Sequence, residues 1–458
     1  MPAGGTWLVQ NKRRPGAYIN FISVPKPIGT LGERGTVAIG LPMTWGAENE
    51  IIKLTGDELL NGKSLAKVGC VATDTEASLP YRVALSGSFT ALLFRTDAGG
   101  AKATGVIKAE TLTVTAKYAG TVGNSIVVAV AKSDKSTDTV PLYEVQVLVN
   151  TLLQETHEVS KIKDFEDIES DFVTFKVLAA DAAVPETASA GAPLAGGTNG
   201  TLNRNLYPKF WGLLGHKNFQ ALAMFDNDPT IAPLIKEQVK LWRENWGKKV
   251  QGVVYDYTAA DYEGIISVDQ GFKTQVETVT PELFVLWVAS QTAGANVNQS
   301  LTNTIVEGAV EIINPVDEND IADELSKGRF LLTYNEDEEI VVEQDINSLH
   351  HFTVDKNDAW GKNRVIRVLD EIGNTVKRIF NRSYSGKVDN DKPGRNSFKA
   401  ELINMVEQLQ GIRAIQNFDG TSDITVLPGE AVDAVVVDME VQPVDAMEKL
   451  YMTVNVNA

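Results

Sequence analysis

Four histidines, a single cysteine and several carboxylate runs are the side chains from which any reaction chemistry would have to come. His157, His216, His350 and His351 are the candidate metal ligands or general bases. None stands in an HExxH arrangement or beside a CxxC pair, the spacings that bring two ligands to one ion. His350 and His351 are adjacent, and on an extended strand they would point to opposite sides. Asp226, Asn227 and Asp228 resemble the start of a calcium loop. The sixth-position glycine and the closing glutamate are missing, so capping of the helix that follows is the better reading. Cys70 lies in AKVGCVAT among small and apolar residues and reads as a buried small hydrophobe rather than a nucleophile. Asp317, Glu318, Asp320, Asp323 and Glu324 read as a solvated face. The phosphate loops GxGxxG and GxxxxGK[ST] and the GxSxG elbow are absent. APLAGGTNG is glycine-rich, but no clear strand precedes it and no clear helix follows, so it reads as a flexible connection. No catalytic, cofactor-binding or metal-ligating residue is assigned, and the chain is expected to be neither an enzyme nor a cofactor protein.

Charge is the stronger signal. The 458 residues carry a formal net charge of -18. Such a chain repels phosphate backbones, so nucleic acid is not an expected partner. The charge is also segregated. Residues 317–345 are acidic and include Glu336, Asp337, Glu338 and Glu339, against Lys327 and Arg329 alone. Residues 360–400 reverse this with Lys362, Arg364, Arg367, Lys377, Arg378, Arg382, Lys387, Lys392, Arg395 and Lys399. Their acids are Asp370, Glu371, Asp389 and Asp391. A basic region in an acidic chain points to an acidic partner surface, with an ordinary solvated helix face as the equal alternative. Aromatics suited to base stacking, such as Phe380 and Tyr384, are few there, so a neighbouring protein fits better than nucleic acid.

The elements that must carry these residues follow from length and pattern. At about 150 residues per domain, some three domains are expected. Hydrophobic residues make up 43% and charged residues 22%, ordinary usage for a chain that buries a core. One cysteine excludes an intramolecular disulfide and suits a reducing compartment. The N-terminus lacks the apolar region of a signal peptide, and no stretch approaches the roughly 20 apolar residues of a span, so no membrane insertion is expected.

Residues 1–25 read as an extended arm whose apolar side chains include Trp7, Val9, Tyr18 and Ile19. In 26–97, GTVAIGLPMTWG reads as a buried strand and turn, Thr55 with Glu58 as a capping box, and YRVAL and FTALLFR as further strands. In 98–200, TLTVTAKYAG, NSIVVAVA, LYEVQVLV and FVTFKVL alternate with period two, a sandwich or barrel inserted between two halves of a larger domain. In 201–335, FQALAMF is a short buried strand. A helix capped by Asp228 follows, with Pro229 in its first turn and Ile235, Val239, Trp242 and Trp246 on one face. KVQGVVYDY then completes a strand, helix, strand unit. Thr280-Pro281 opens another apolar helix. Residues 336–445 are α+β. GRFLLTYNEDEEIVVEQ, at their start, is a hairpin with NEDE at its turn. A helix places Val365, Leu369, Ile372, Val376 and Ile379 on one face. A second helix is capped by Asn396 or Ser397 and stops at Gly411. The strand AVVVDMEVQ follows, and 446–458 form a terminal strand. This last one alternates Leu450, Met452, Val454 and Val456 against Lys449, Tyr451, Thr453 and Asn455. It can pair within its own sheet, the choice pattern alone favours, or be donated to another subunit. The fold class is a multidomain α+β and α/β protein, with a mixed α/β core built from N- and C-terminal parts around an inserted β-rich domain.

GRNSFKAELINMVEQLQGIRAIQNFD, followed by DAVVVDMEVQPVDAMEKLYMTVNV, resembles the C-terminal domain of contractile tail sheath proteins. DINSLHHFT, VIRVLDEIGNTVKRIFNRSYSGK, PLAGGTNG, ASQTAGANVNQSLTN, RPGAYINFISVP, GTVAIGLPMTWG and AKYAGTVGNSI are similar to the same family in the same order, so the likeness covers most of the chain. The resemblance implies a structural protein that self-associates as hexameric rings stacked helically around an inner tail tube. Its C-terminal domain would lie nearest the tube, and its β-rich insertion would face outward. Terminal arms from neighbours would add strands to that C-terminal domain. Trp7, Val9, Tyr18 and Ile19 would lie in one arm, and Leu450, Met452, Val454 and Val456 in the other. Baseplate and tail terminator proteins would be further partners. Contraction would drive the tube through a target envelope. The place implied is the tail of a bacteriophage or a headless R-type bacteriocin, after synthesis in the host cytoplasm. Lys392, Arg395 and Lys399 are candidate tube contacts. The rivals are a type VI-like sheath, a cytosolic α/β enzyme with a β-rich accessory domain, and a surface adhesin, which the missing signal peptide disfavours.

Overall fold

Strands buried on both faces read as nearly unbroken apolar runs, whereas an edge strand alternates. The central sheet of the computed structural model follows this rule. Its strands, numbered in chain order, are β1 (Thr36–Leu41), β2 (Ile51–Thr55), β3 (Thr90–Arg95), β4 (Ala221–Met224), β5 (Gln251–Tyr255) and β6 (Ile265–Val268). The spatial order is β6-β5-β4-β1-β3-β2. All neighbours run parallel except the edge strand β2, which is antiparallel to β3 and alternates buried with exposed residues. The structure describes residues 34–137 and 141–456, together with the backbone of Gly4–Gly5 and Ala17–Tyr18, which pair in parallel. Trp7, Val9 and Ile19 lie outside the described residues, and Tyr18 is described through its backbone alone.

The five larger helices are α1 (Thr75–Ala84), α2 (Ile231–Lys240), α3 (Pro281–Gly294), α4 (Asn363–Ile379) and α5 (Lys392–Gly411). One face of the sheet carries Val37, Ile39, Leu93, Ala223 and Val253 and packs on α3 and α1. The other carries Ala38, Phe94, Leu222 and Val254 and packs on α2 and the helix Tyr207–Leu214. Successive residues thus serve opposite cores. α3 is buried on nearly every side, as its unbroken ELFVLWVASQTAG requires.

The inserted domain is a sandwich of two separate sheets. Thr104–Lys108, Leu112–Ala116 and Val173–Val177 form one. Ile126–Lys132, Tyr143–Val149, Leu152–Val159 and Ala192–Pro193 form the other. Alternate residues such as Val114, Val128, Val130, Val145 and Val147 fill the space between them. Asn150 and Thr151 join two strands with both φ angles positive (49° and 67°), as a two-residue hairpin turn requires.

The insertion enters and leaves through one neck. Asp97–Ala98 pairs with Thr201–Leu202, and paired backbone bonds continue at Ala101 with Thr198 and at Thr104 with Ala195. Arg95 and Asp97 are fully buried at its foot. The Arg95 guanidinium donates to both Asp97 oxygens and, at 2.7 Å, to the Ala119 carbonyl. Gly120 sits there at φ 136°, and a Cβ on it would lie 1.8 Å from the Thr44 carbonyl oxygen, so only glycine fits.

Several sequence expectations are corrected. YRVAL is helical rather than a strand. Ser78, Tyr81, Val83 and Ala84 are the buried residues of α1, which packs on α3, and this wide helical face contains the Tyr81 and Val83 pair that looked like period two. The helix α2 begins at Ile231. Asp228 lies three residues earlier, where its carboxylate accepts from the Thr230 N–H (2.9 Å) and hydroxyl (2.6 Å). Trp246 leaves the face of Ile235, Val239 and Trp242 and is half exposed, because a wider π turn over Leu241–Asn245 rotates less per residue and sets its phase back. The second C-terminal helix is capped by Asp391, which accepts from the Gly394 N–H at 2.7 Å, not by Asn396 or Ser397. It does end at Gly411. On α4, Leu369, Ile372 and Val376 are only partly buried, and Arg367, Asp370 and Glu371 are buried instead.

Candidate assembly surface

The C-terminal part is built on α4 and α5, which share a core of Val368, Phe398, Leu402, Met405, Val406 and Leu409. Ile424 and Ala414 extend that core into the strands that follow. Ile424–Pro428 and Val435–Met439 form an antiparallel hairpin, and Ile415–Gln416 pairs with Gln442–Pro443. Among the described residues no third strand joins the hairpin.

Its register identifies the unpaired groups. Gly429 N–H donates to the Ala434 carbonyl and Glu440 N–H to the Asp423 carbonyl, both at 2.8 Å. Hydrogen-bonded pairs therefore fall at 425 with 438 and at 427 with 436. Ile424 and Val426 then turn their backbone groups outward along one edge, and Val435, Val437 and Met439 along the other. Beside the second edge is a cleft of about 830 Å³. Phe380, Tyr384 and Phe398 line it, with Arg395, Val432 and Val435 on its rim.

The chain after this hairpin leaves the body. Val444 N–H donates to the Ala414 carbonyl at 3.0 Å, the last such backbone tie among the described residues. No residue of 445–456 lies in a strand. The pairing within its own sheet that the alternating pattern favoured is therefore not found. Alternation specifies a strand but not which edge it meets. Leu450, Met452, Val454 and Val456 are 84%, 73%, 70% and 88% exposed, so this apolar face has no cover from the described residues of its own subunit.

Glu448 is the exception in this segment. Its carboxylate is only 10% exposed. Oε1 accepts from the Thr302 hydroxyl at 2.8 Å, and Oε2 accepts from the Gln344 amide at 2.9 Å and from the Lys362 ammonium. Burial pushes its pKa up, but the Lys362, Thr302 and Gln344 donors outweigh this and hold the carboxyl below the usual range. The sequence reading missed Glu448. The signal was present, since in DAMEKLYMTVNV it is the charged residue on the same parity as Leu450 and Met452.

The basic stretch is divided by the fold. Lys392, Arg395 and Lys399 lie on the first turns of α5. The Arg395 guanidinium is partly engaged, donating to the Asn390 carbonyl and side-chain oxygens at 2.9 Å. Lys362 and Arg367 turn inward to Glu448 and Asp345, and Lys377 donates to the Trp246 carbonyl. The charge run is therefore in part an internal network.

His350 and His351 converge rather than diverge, because they lie in a loop wrapped around Asp261 and not on a strand. Their rings are 4.4 Å apart, and the Asp261 carboxylate accepts from both backbone N–H groups at 2.9 and 3.0 Å. The three residues bring ligand atoms within 4.8 Å of one another, the spacing of a metal site. Hydrogen bonds already account for it: His350 Nδ1 lies 2.9 Å from the Ser348 carbonyl, and His351 Nδ1 lies 2.9 Å from Asp261 Oδ2. Cys70 is 2% exposed, and burial pushes its thiol up to about 12. The Asp226 to Asp228 run is engaged as well. Asp226 pairs with Arg204 at 2.7 Å and accepts from the Tyr207 hydroxyl at 2.5 Å, and Asn227 donates to Glu282.

The family comparisons agree with a structural protein. Residues 98–199 match the phage tail sheath protein beta-sandwich domain, 207–348 its central domain, and 355–457 the phage tail sheath C-terminal domain. The phage-like element PBSX protein XkdK of Bacillus subtilis (strain 168) is 34% identical over 99% of this chain and 100% of its own. The solved sheath tail protein of Desulfitobacterium hafniense is 37% identical, with a TM-score of 0.78 over 95% of this chain and 99% of that one. At 12% identity and a TM-score of 0.53, over 97% of this chain and 99% of that one, the helical sheath of the anti-feeding prophage in its contracted state shares the fold alone. The chain belongs to the phage tail sheath family, and it is accordingly a non-enzymatic component of a phage tail or phage-tail-like particle.

Proposed function

We propose that this chain polymerises as stacked hexameric rings around an inner tail tube, that exchanged terminal strands link the rings, and that contraction drives the tube through a target envelope. Residues 26–97 and 201–335 would form the ring-building α/β domain, 98–200 the outward insertion, and 336–445 the tube-proximal domain. Residues 1–25 and 446–458 would be the exchanged arms. Baseplate and tail terminator proteins would cap the two ends of the polymer. Lys392, Arg395 and Lys399 would face the tube.

The observation that carries this reading is the apolar and exposed segment after Lys449, which pairs with no strand among the described residues, together with a hairpin whose two edges are open among the same residues. Eight residues, 449–456, extend about 27 Å, enough to cover an edge strand of about 17 Å. Each added ladder bond contributes about 0.5–1.5 kcal/mol net, so one junction is worth a few kcal/mol. That is strong when repeated through a lattice and reversible singly. The fold shared with a contracted helical sheath supports a helical polymer.

Deletion of residues 449–458 tests it. The truncated chain should fold as a subunit and fail to form striated tubes by negative-stain electron microscopy. Full-length sheaths from the truncated chain would sink the strand-exchange reading.

A further inference from the structure

Between Asp445 and Val456 the side chain that turns deepest into the body is that of Glu448, while Met447 and Leu450 on either side are 104% and 84% exposed. The three donors that hold it come from separate parts of the chain. Thr302 lies in the loop after α3, Gln344 follows the strand Ile340–Val342, and Lys362 immediately precedes α4.

These contacts continue inward. The Thr302 hydroxyl also accepts from the Asp345 N–H at 2.9 Å. The Asp345 carboxylate pairs with Arg367 and accepts from the Leu301 N–H at 2.9 Å and the Asn363 amide at 3.0 Å. The Asn363 side-chain oxygen accepts from Gln251, on β5, at 2.9 Å. A continuous run of hydrogen bonds therefore joins the base of the C-terminal segment to the central sheet. Its members are buried or nearly so, where such bonds are strongest and solvent competes least.

We propose that Thr302, Gln344 and Lys362 form a clamp for the C-terminal arm, with Glu448 as the seized group. The clamp fixes where the arm departs and passes tension from the link into the subunit core. This rests on the donation of that arm to a neighbour. Without the clamp, the last hold on the chain would be the Val444 N–H. The four residues 445–448 would then add about 14 Å of slack. An arm with slack searches a larger volume, so its effective concentration at the neighbour's edge falls. It also yields before it transmits force.

The test uses the full chain with Glu448→Gln, Lys362→Met and the exchanged pair Glu448→Lys with Lys362→Glu. Two quantities are read: the rate of chymotryptic cleavage after Tyr451, which is 90% exposed, in the unassembled subunit, and the protein concentration at which striated tubes first appear. Each single variant should be cut about tenfold faster and should need several-fold more protein to assemble. The exchanged pair should recover much of both. Circular dichroism melting should be unchanged, because the arm lies outside the cores. Cleavage at the original rate in the single variants overturns the clamp. Faster cleavage with unaltered assembly overturns its role as the anchor of the link and leaves strand donation standing. Donation itself is judged by the 449–458 deletion, so the two failures are distinguishable.

Discussion

Arg243 and Asp370 meet through two parallel hydrogen bonds of 2.7 and 2.8 Å, although 127 residues separate them in the chain. Both are almost wholly buried. The pair fastens α4, in the C-terminal part, to the turn that follows α2 beside the central sheet. Burial alone would lower the Arg243 pKa, but the Asp370 charge outweighs it and keeps the guanidinium protonated. Removing one member leaves the other charged in a dry site, which costs about 3–5 kcal/mol. Asp370→Ala should lower the chemical-denaturation free energy by that amount. A loss under 1 kcal/mol would mean that water reaches the pair.

The outward N–H groups of Val426 and Val437 give each edge of the hairpin its own test as receiver of an exchanged strand. Proline at either position removes a donor that the subunit's own ladder does not use. Val437→Pro and Val426→Pro should each give a folded subunit, and each should block strand addition at its own edge. Sheath assembly by sedimentation is the readout. Normal assembly by both variants would exclude the hairpin as receiver.

Tube binding by α5 should be electrostatic and therefore dependent on salt. Lys392→Glu with Lys399→Glu should weaken co-assembly on purified tubes several-fold at low ionic strength, with the difference shrinking as salt rises. Arg395 is a poorer probe, because its guanidinium also holds the Asn390 loop. Equal co-assembly of the double variant at low salt would move the tube contact elsewhere.

The clamp at Glu448 should depend on pH in a defined direction. Its carboxyl is held below the ordinary glutamate range, so the seated, ionised form is favoured throughout neutral pH. The contribution is fully present above the ordinary glutamate value and is lost as pH falls through the depressed one. Carboxyl carbon shifts of Glu448 in the subunit should titrate below those of a free glutamate. A titration at or above the ordinary value would contradict the seated geometry.

Cys70 should be chemically silent. A thiol raised to about 12 is a fraction of a per cent thiolate at pH 8, and the thiolate is the reactive form. Alkylation of the folded chain should be at least a hundredfold slower than in denaturant. Rapid labelling of the native chain would show that the core around α1 opens.

The sheet was legible where strands are buried on both faces, since TVAIGL, ALLFR and GVVY can only be satisfied between two apolar layers. The sandwich was legible through the β-branched residues that alternate at Ile126, Val128 and Val130 and at Val145, Val147 and Val149. Its strand Leu152–Val159 was missed, because LLQETHEV faces solvent along most of its length and has no apolar stripe. YRVAL misled because five residues fit period two and period 3.6 alike, and α3 decided between them. Trp246 misled because a π turn cannot be read from side-chain type. The clamp was hidden for a different reason. Its donors lie at positions 302, 344 and 362, and nothing local marks them as neighbours of 448.

The two-stranded neck at Asp97–Ala98 and Thr201–Leu202 brings the entry and exit of about a hundred residues side by side. The neck is not the whole junction, because the sandwich is also keyed to the body: the Ala119 carbonyl accepts from the buried Arg95 guanidinium, Gly120 abuts Thr44, and Trp45 is buried in the sandwich core. A foreign module grafted between Gly99 and Gly200 would therefore have to bring its own acceptor for Arg95 and its own apolar lid for Trp45, or the graft would leave a guanidinium short of a partner and an indole in water.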